Sequence, residues 1–244
     1  MTLFLTSHIG GSQKTASGRI PAPLYDANGF IDELRVRWPR EANILLIAAD
    51  PVDYCKNDSV YECLRVAFPL SNLNIRKFDL LDSRNPQLAD FINSYDVVIL
   101  SGGHVPTQNS FFRSINLKDK LASFSGIIIG ISAGTMNCAE TVYAHPELEG
   151  EAIDPCFQRF IPGLGLTRHM ILPHYQSIKD DILDGMRVFE DIAYPDSFGR
   201  TFLALNDGSF IIQERGCAIL YGEARMIRDG AISLICESGN TITL

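Results

Sequence analysis

The sequence predicts an α/β fold: a parallel sheet flanked by helices, with a C-terminal β meander. Three observations carry this expectation. Five short runs are apolar and β-branched at consecutive positions, the pattern of strands buried on both faces. Helix signals fall between those runs, as strand–helix alternation requires. Beyond residue 200, turn dipeptides separate short β-prone segments.

Taken in order, Thr2–Thr6 is the first strand. Residues 7–30 are rich in Gly, Ser, Pro and Ala and read as a long loop; the whole stretch 7–42 looks like an extension ahead of the core. A short helix is expected near residues 31–38, then a strand at 43–48. Ser59 and Glu62 have capping-box spacing and open a helix through Phe68 that Pro69 ends. A strand at 74–78 follows. Asn85-Pro86 then puts a cap residue before a proline at the first helical position, with Leu88, Phe91 and Ile92 as an apolar stripe. Strands are expected at 96–100 and 126–131, with helices at 117–124 and 135–141. Residues 147–166 look irregular. Residues 180–192 suggest an amphipathic helix, with Ile182, Leu183, Met186 and Phe189 on one side. Asp207-Gly208, Asp229-Gly230 and Gly239-Asn240 mark the turns of the meander. With no internal repeat, residues 1–244 read as a single domain.

Composition narrows the function. A hydrophobic content of 46% is enough for a full core, which argues against disorder. The net charge of −8, with no basic run, gives no electrostatic reason to bind nucleic acid. No apolar run reaches the ~20 residues that span a bilayer, and the opening MTLFLTSHIGG lacks the features of a signal peptide. The six cysteines form no C-x-x-C pair, and Cys217 and Cys236 sit in apolar strings as small hydrophobes. A reduced, cytoplasmic protein is the expectation. The five scattered histidines give no metal-ligand spacing, so neither metal nor organic cofactor is expected.

Gly130-Ile131-Ser132-Ala133-Gly134 matches G-x-S-x-G, between a predicted strand and a predicted helix. That is the setting in which such a turn lifts a serine out of a sheet and turns the following N–H toward an oxyanion. The motif alone leaves open a structural turn that merely needs small residues. A nucleophilic serine requires a base. His174, in Ile171-Leu172-Pro173-His174-Tyr175, falls at a strand's C-terminal end, where α/β sites are built; His169, His145 and His8 are alternatives. Asp207 is a candidate acid just after a strand, though Asn-Asp-Gly is also a good turn sequence. Asp154, Asp180 and Glu147 compete with it. Ser101-Gly102-Gly103-His104 ends another strand with approachable N–H groups, and Gln108 and Asn109 follow closely enough to line the same cleft.

Together, the Gly-Gly strand end, Gly-x-Ser-Ala-Gly, Pro173-His174-Tyr175 and the Asp207-Gly208 step resemble the peptidase E (aspartyl dipeptidase) family of serine peptidases, in which cyanophycinase is a relative. The resemblance runs from about residue 43 to 215. It implies a class I glutamine amidotransferase-like fold, Ser132 as nucleophile, His174 as base, Asp207 as the acid, and Gly103 and Ala133 as oxyanion donors. The acid in that family is usually glutamate. The chain departs from the pattern at His104, where Asn is common, and after the Pro-His-aromatic motif, where no arginine appears until Arg187. It therefore resembles a divergent branch.

The expected function is a serine exopeptidase cutting short peptides through an acyl-enzyme, with Arg168 a candidate for pairing with an acidic substrate group. Hydrolysis of β-linked or isoaspartyl peptides, or a binding protein that kept the fold without activity, are the alternatives. The order Ser, His, acid separates this site from α/β-hydrolases, where the acid precedes the histidine. Homodimerisation is common for such domains, but no residue here fixes it.

Overall fold

The structure, a computed structural model, describes residues 1–16 and 18–244. Its first strand, β1 (Thr2–Thr6), leads into a hairpin of β2 (Gly10–Thr15) and β3 (Gly18–Leu24) and then α1 (Phe30–Arg37). The chain continues through β4 (Ala42–Ile47), α2 (Tyr54–Leu70), β5 (Ile75–Leu81), a 3₁₀ segment at Pro86–Ser94, β6 (Val97–Leu100), α3 (Val105–Ser114) and α4 (Leu117–Leu121). Then come β7 (Ile127–Ile131), α5 (Ala133–Asn137), a hairpin of β8 (Thr141–Tyr143) and β9 (Phe160–Pro162), β10 (Met170–Leu172) and α6 (Tyr175–Ile178). A small hairpin of β11 (Ile182–Leu183) and β12 (Met186–Arg187) precedes a π-helical turn at Val188–Ala193 and α7 (Tyr194–Asp196). The last third is β13 (Thr201–Leu205), β14 (Phe210–Glu214), β15 (Cys217–Tyr221), β16 (Ala224–Arg228), β17 (Ala231–Cys236) and β18 (Thr241–Thr243).

The main sheet has the order β18-β15-β14-β1-β7-β6-β4-β5. From β1 to β5 every pairing is parallel, and from β1 outward to β18 every pairing is antiparallel. The five predicted strands form that parallel half, within a few residues of their predicted bounds. Successive residues of these strands serve opposite cores. Ile44, Leu46, Val97, Ile99, Ile127 and Ile129 pack with Leu34 of α1 and Leu64, Ala67 and Phe68 of α2. Leu45, Ile47, Val98, Leu100 and Ile128 pack on the other face with Phe111 and Phe112 of α3, Leu117 of α4 and Ile92 of the 3₁₀ segment. At about 25 cal/mol per Å² of apolar area removed from water, these runs are the main source of stability.

Several expectations need correction. The meander is really two interleaved sets: β14, β15 and β18 extend the main sheet, while β13, β16 and β17 join β10 in a second sheet of order β10-β13-β16-β17. Turn chemistry in the sequence marks where the chain reverses, not which sheet receives the next strand. Residues 7–30 are not a loop throughout, since β2 and β3 pair there and pack on α2. Pro21 and Pro23 masked that hairpin, but a two-stranded ribbon has open edges that tolerate proline. The helix α2 begins before Ser59; Asp53 caps it, accepting from the Lys56 N–H at 3.2 Å. α5 ends at Asn137, and Thr141 already belongs to β8.

The expected helix at 180–192 is the largest departure. Asp184 and Gly185 have φ of 53° and 81°, which suits a tight hairpin turn. The Asp184 carboxylate also accepts the Gly150 and Ala152 N–H groups at 2.8 and 3.0 Å. These long-range bonds and the tight turn hold the segment out of a helix, and the apolar stripe is used by a hairpin and a π turn instead. Cys217 is exposed despite its apolar neighbours, whereas Cys236 is buried. Among the described residues, no helix is long and apolar enough to cross a membrane.

Candidate active site

The C-terminal ends of β1, β6 and β7 lie side by side in the main sheet, and those of β10 and β13 lie side by side in the second. The site is built where these ends converge. At the end of β7 the chain turns sharply into α5. A Cβ on Gly134 would lie 2.1 Å from the Leu100 carbonyl oxygen, and one on Gly130 would lie 2.8 Å from Thr135 Cα, so only glycine lets the turn close this tightly. Between them Ser132 adopts φ 50° and ψ −113°. Such a conformation costs on the order of 1–3 kcal/mol and persists only where neighbours over-determine it. Here the Ser132 N–H donates to the Thr6 carbonyl at 3.1 Å, and its own carbonyl accepts from Met136 at 3.0 Å. The Thr135 hydroxyl ties α5 to β1, donating to the Thr6 carbonyl and accepting from its N–H, both at 2.8 Å.

The second sheet supplies the partner. His174 follows β10 with φ 60° and ψ 26°. Its Nε2 lies 2.9 Å from Ser132 Oγ, and its Nδ1 lies 2.7 Å from Asp207 Oδ1. Asp207, in the turn between β13 and β14, can only accept from Nδ1–H when ionised, which leaves Nε2 as the acceptor for the serine hydroxyl. Burial alone would raise the Asp207 carboxyl, but hydrogen bonds from His174 and Ser7 outweigh it and hold the carboxyl at about 2. The acid is therefore ionised across the physiological range. The Asp207 N–H is itself fixed by the Gln176 side-chain oxygen at 3.0 Å.

A comparison with protein-family models matches residues 46–220 to peptidase family S51. The chain belongs to peptidase family S51. No curated protein sequence matches it. Among solved structures it is similar to a peptidase from an acI-B1 Actinobacterium, with TM-score 0.64 and 13% identity, covering 100% of this chain and 96% of that one. It is also similar to a putative peptidase E protein from Listeria monocytogenes EGD-e, with TM-score 0.55 and 15% identity over 97% and 98% of the two chains. At such identities the likeness is one of fold: a mixed α/β architecture with a large central sheet between helices.

In this S51 chain a cleft of about 420 Å³ opens on the serine, lined by Ser132, Met136, His145, Glu147, His174 and Asp181 among others. That volume suits a small ligand. Gly102 lies against Ser132, with its Cβ position 3.3 Å from the serine Cβ, so the Gly102-Gly103 corner adjoins the elbow. The other binding candidates do not reach the cleft. Gln108 is fully buried, donating to the Ser101 carbonyl at 2.6 Å and accepting from Asn137 at 3.0 Å. Asn109 donates to Asn137 and to the Pro162 carbonyl at 2.9 and 3.0 Å. Both satisfy a buried polar network under α3 rather than a substrate. His104 is held by Thr107 at 2.8 Å and Glu151 at 2.9 Å. Arg168 is exposed and is not among the cleft-lining residues.

The competitors also find places. Asp154 caps the Cys156 N–H, and Asp180 is exposed. His145 is buried and lines the cleft, where burial pushes its imidazole down to about 4, so it is neutral; its Nε2 has no partner among the described residues. Glu147 stands on the rim, open to solvent on one side, while protein crowding and the nearby Glu151 raise its carboxyl to about 7. Ser7 and Gln176 were not legible as site residues. Ser7 read as the start of a loop, and only the Pro-His-Tyr-Gln run hinted at Gln176.

Proposed function

We propose that this S51 member is a serine-type exopeptidase of short peptides, with Ser132, His174 and Asp207 as its triad. The hydrogen-bonded chain of 2.9 and 2.7 Å through those three side chains carries the reading. Ser132 Oγ attacks the scissile carbonyl as His174 Nε2 takes its proton, and Asp207 steadies the imidazolium. The N–H groups of Gly103 and Ala133 hold the oxyanion. His174 then returns the proton to the leaving amine, and water attacks the acyl-enzyme by the same route in reverse. The Ser, His, acid order belongs with an amidotransferase-like fold rather than an α/β-hydrolase.

The charge of the cleft bears on substrate. Its acidic lining residues are Asp181 and Glu147, the latter only partly ionised near neutral pH, and no Lys or Arg is among the described lining residues. A substrate carboxylate would meet like charge from Asp181 and no cation among the described lining residues. Neutral or basic acyl residues are the better fit, and aspartyl specificity is the poorer one. Hydrolysis of β-linked or isoaspartyl peptides would use the same atoms and is separated by substrate choice alone.

The test is labelling with a fluorophosphonate, followed by a panel of dipeptides with Asp, isoaspartyl, Ala and Lys acyl residues. Labelling of the folded wild type that Ser132→Ala abolishes, with Ala and Lys substrates ahead of Asp, is the expected result. A folded wild type that neither labels nor cleaves overturns the proposal and leaves the inactive binding protein standing.

A further inference from the structure

We infer that Ser7 is a positioning residue that holds His174 and Asp207 in register for Ser132; this rests on the triad reading above. Ser7 follows β1 and is fully buried. A hydroxyl has one proton to give and two lone pairs to receive. Ser7 donates its proton to Asp207 Oδ1 at 2.6 Å, the same oxygen that faces His174 Nδ1. It accepts the His174 backbone N–H at 2.8 Å. Its Oγ lies 3.5 Å from Nδ1, beside the His–Asp bond rather than within it.

Ser7 thus both donates and accepts inside the site, and its full burial keeps it from serving as a second nucleophile. What the two bonds do is geometric. The bond to Asp207 fixes which carboxylate oxygen meets the imidazole. The bond from the His174 N–H braces a non-glycine residue in the left-handed region, where φ is 60°. His174 lies 167 positions from Ser7 in sequence, and Asp207 lies 200 positions away. One buried hydroxyl thus joins the start of the chain to the end of β10 and to the β13–β14 turn. The neighbouring Thr6 does the corresponding work for the nucleophile, since its carbonyl receives the Ser132 N–H at 3.1 Å. The dipeptide Thr6-Ser7 anchors both halves of the triad, and it lies outside the 46–220 match.

The experiment measures kcat and KM for Ser7→Ala, Asp207→Asn and the double variant, on the best dipeptide of the panel, with a thermal melt on each. Ser7→Ala is expected to lower kcat by about 10- to 100-fold while KM stays within about twofold, because misplacement of a catalytic group acts on the reacting geometry. In the Asp207→Asn background the same change should add less than about threefold, because the bond it serves is already lost. Ser7→Thr, which keeps the hydroxyl, should retain more activity than Ser7→Val, which matches its shape without it; this pair decides the matter if Ser7→Ala melts early. Wild-type kcat in Ser7→Ala, fully additive losses in the double variant, or equal rates for the Thr and Val variants would each overturn the inference while leaving the triad intact. A wild type inert to every substrate and to the fluorophosphonate is the different failure: the triad reading falls, and this inference with it.

Discussion

The elbow around Ser132 and the cleft wall at residues 145–147 and 178–188 line the same site, yet they are built on different principles. The elbow is local. Seven consecutive residues, Gly130 to Met136, contain its glycines, its strained serine and its first helical bond. The wall is assembled from distant pieces: the turn at Gly150–Ala152 hangs on Asp184, more than thirty positions later. A local device writes its requirements into spacing, and a long-range one does not. That is why the first was readable, while one part of the second, residues 180–192, was misread as a helix.

Perturbations can sharpen this contrast, and the largest effect belongs at the proposed triad. Asp207→Asn puts an amide where Nδ1–H needs an acceptor and favours the wrong imidazole tautomer. Steady-state kinetics should record a fall of about ten-thousand-fold in kcat, with the melting profile little changed. Gly134→Ala attacks the elbow's backbone instead. With Leu100 O in the way, denaturant titration should register a loss of about 3 kcal/mol or more. A stable Gly134→Ala protein would mean that the elbow is less tightly determined than its contacts imply.

The wall should respond more mildly. Asp184→Ala removes two hydrogen bonds to backbone N–H groups and should cost about 1–2 kcal/mol. Its kinetic mark should be a raised KM with kcat nearly held; a collapse of kcat would make wall and elbow a single unit. The smallest effect is electrostatic. The Glu147 carboxyl sits at about 7 against an ordinary 4.5, so the folded protein holds that proton more tightly than the unfolded chain. Folding is therefore favoured below about pH 4.5 and loses that contribution as pH rises through 7. Glu147→Gln should melt above the wild type at pH 8, and the gap should close toward pH 4.5. Solvent on the rim keeps the gap small.

Much of the architecture was legible because buried parallel strands leave consecutive β-branched runs, and all five were found near their predicted positions. Ser132, His174 and Asp207, which the structure brings within hydrogen-bond reach of one another, were legible as candidates because each follows the end of a strand. Ser7 could not, since nothing local distinguishes a serine after β1 from any loop serine. The assignment of Gln108 and Asn109 to the cleft failed for a related reason. Nearness to the Gly102-Gly103 corner in sequence says nothing about which side of α3 a polar side chain faces, and both were needed to satisfy buried backbone. The helix expected at 180–192 failed because apolar spacing was weighed and the Asp184-Gly185 turn was not.

The position of β1 in the sheet has a consequence for how the protein is made. This strand is made before both of its neighbours, β7 and β14, so it waits for residues 127–131 on one side and 210–214 on the other. Any nascent chain that stops before Asp207 lacks the acid, and one that stops before Glu214 leaves an edge of β1 unpaired. Assembly of the proposed triad with its Ser7 contact is thus deferred until residues 200 positions apart, Ser7 and Asp207, have both been translated. That order of events keeps the proposed bond-cleaving chemistry out of every nascent form that stops before Asp207.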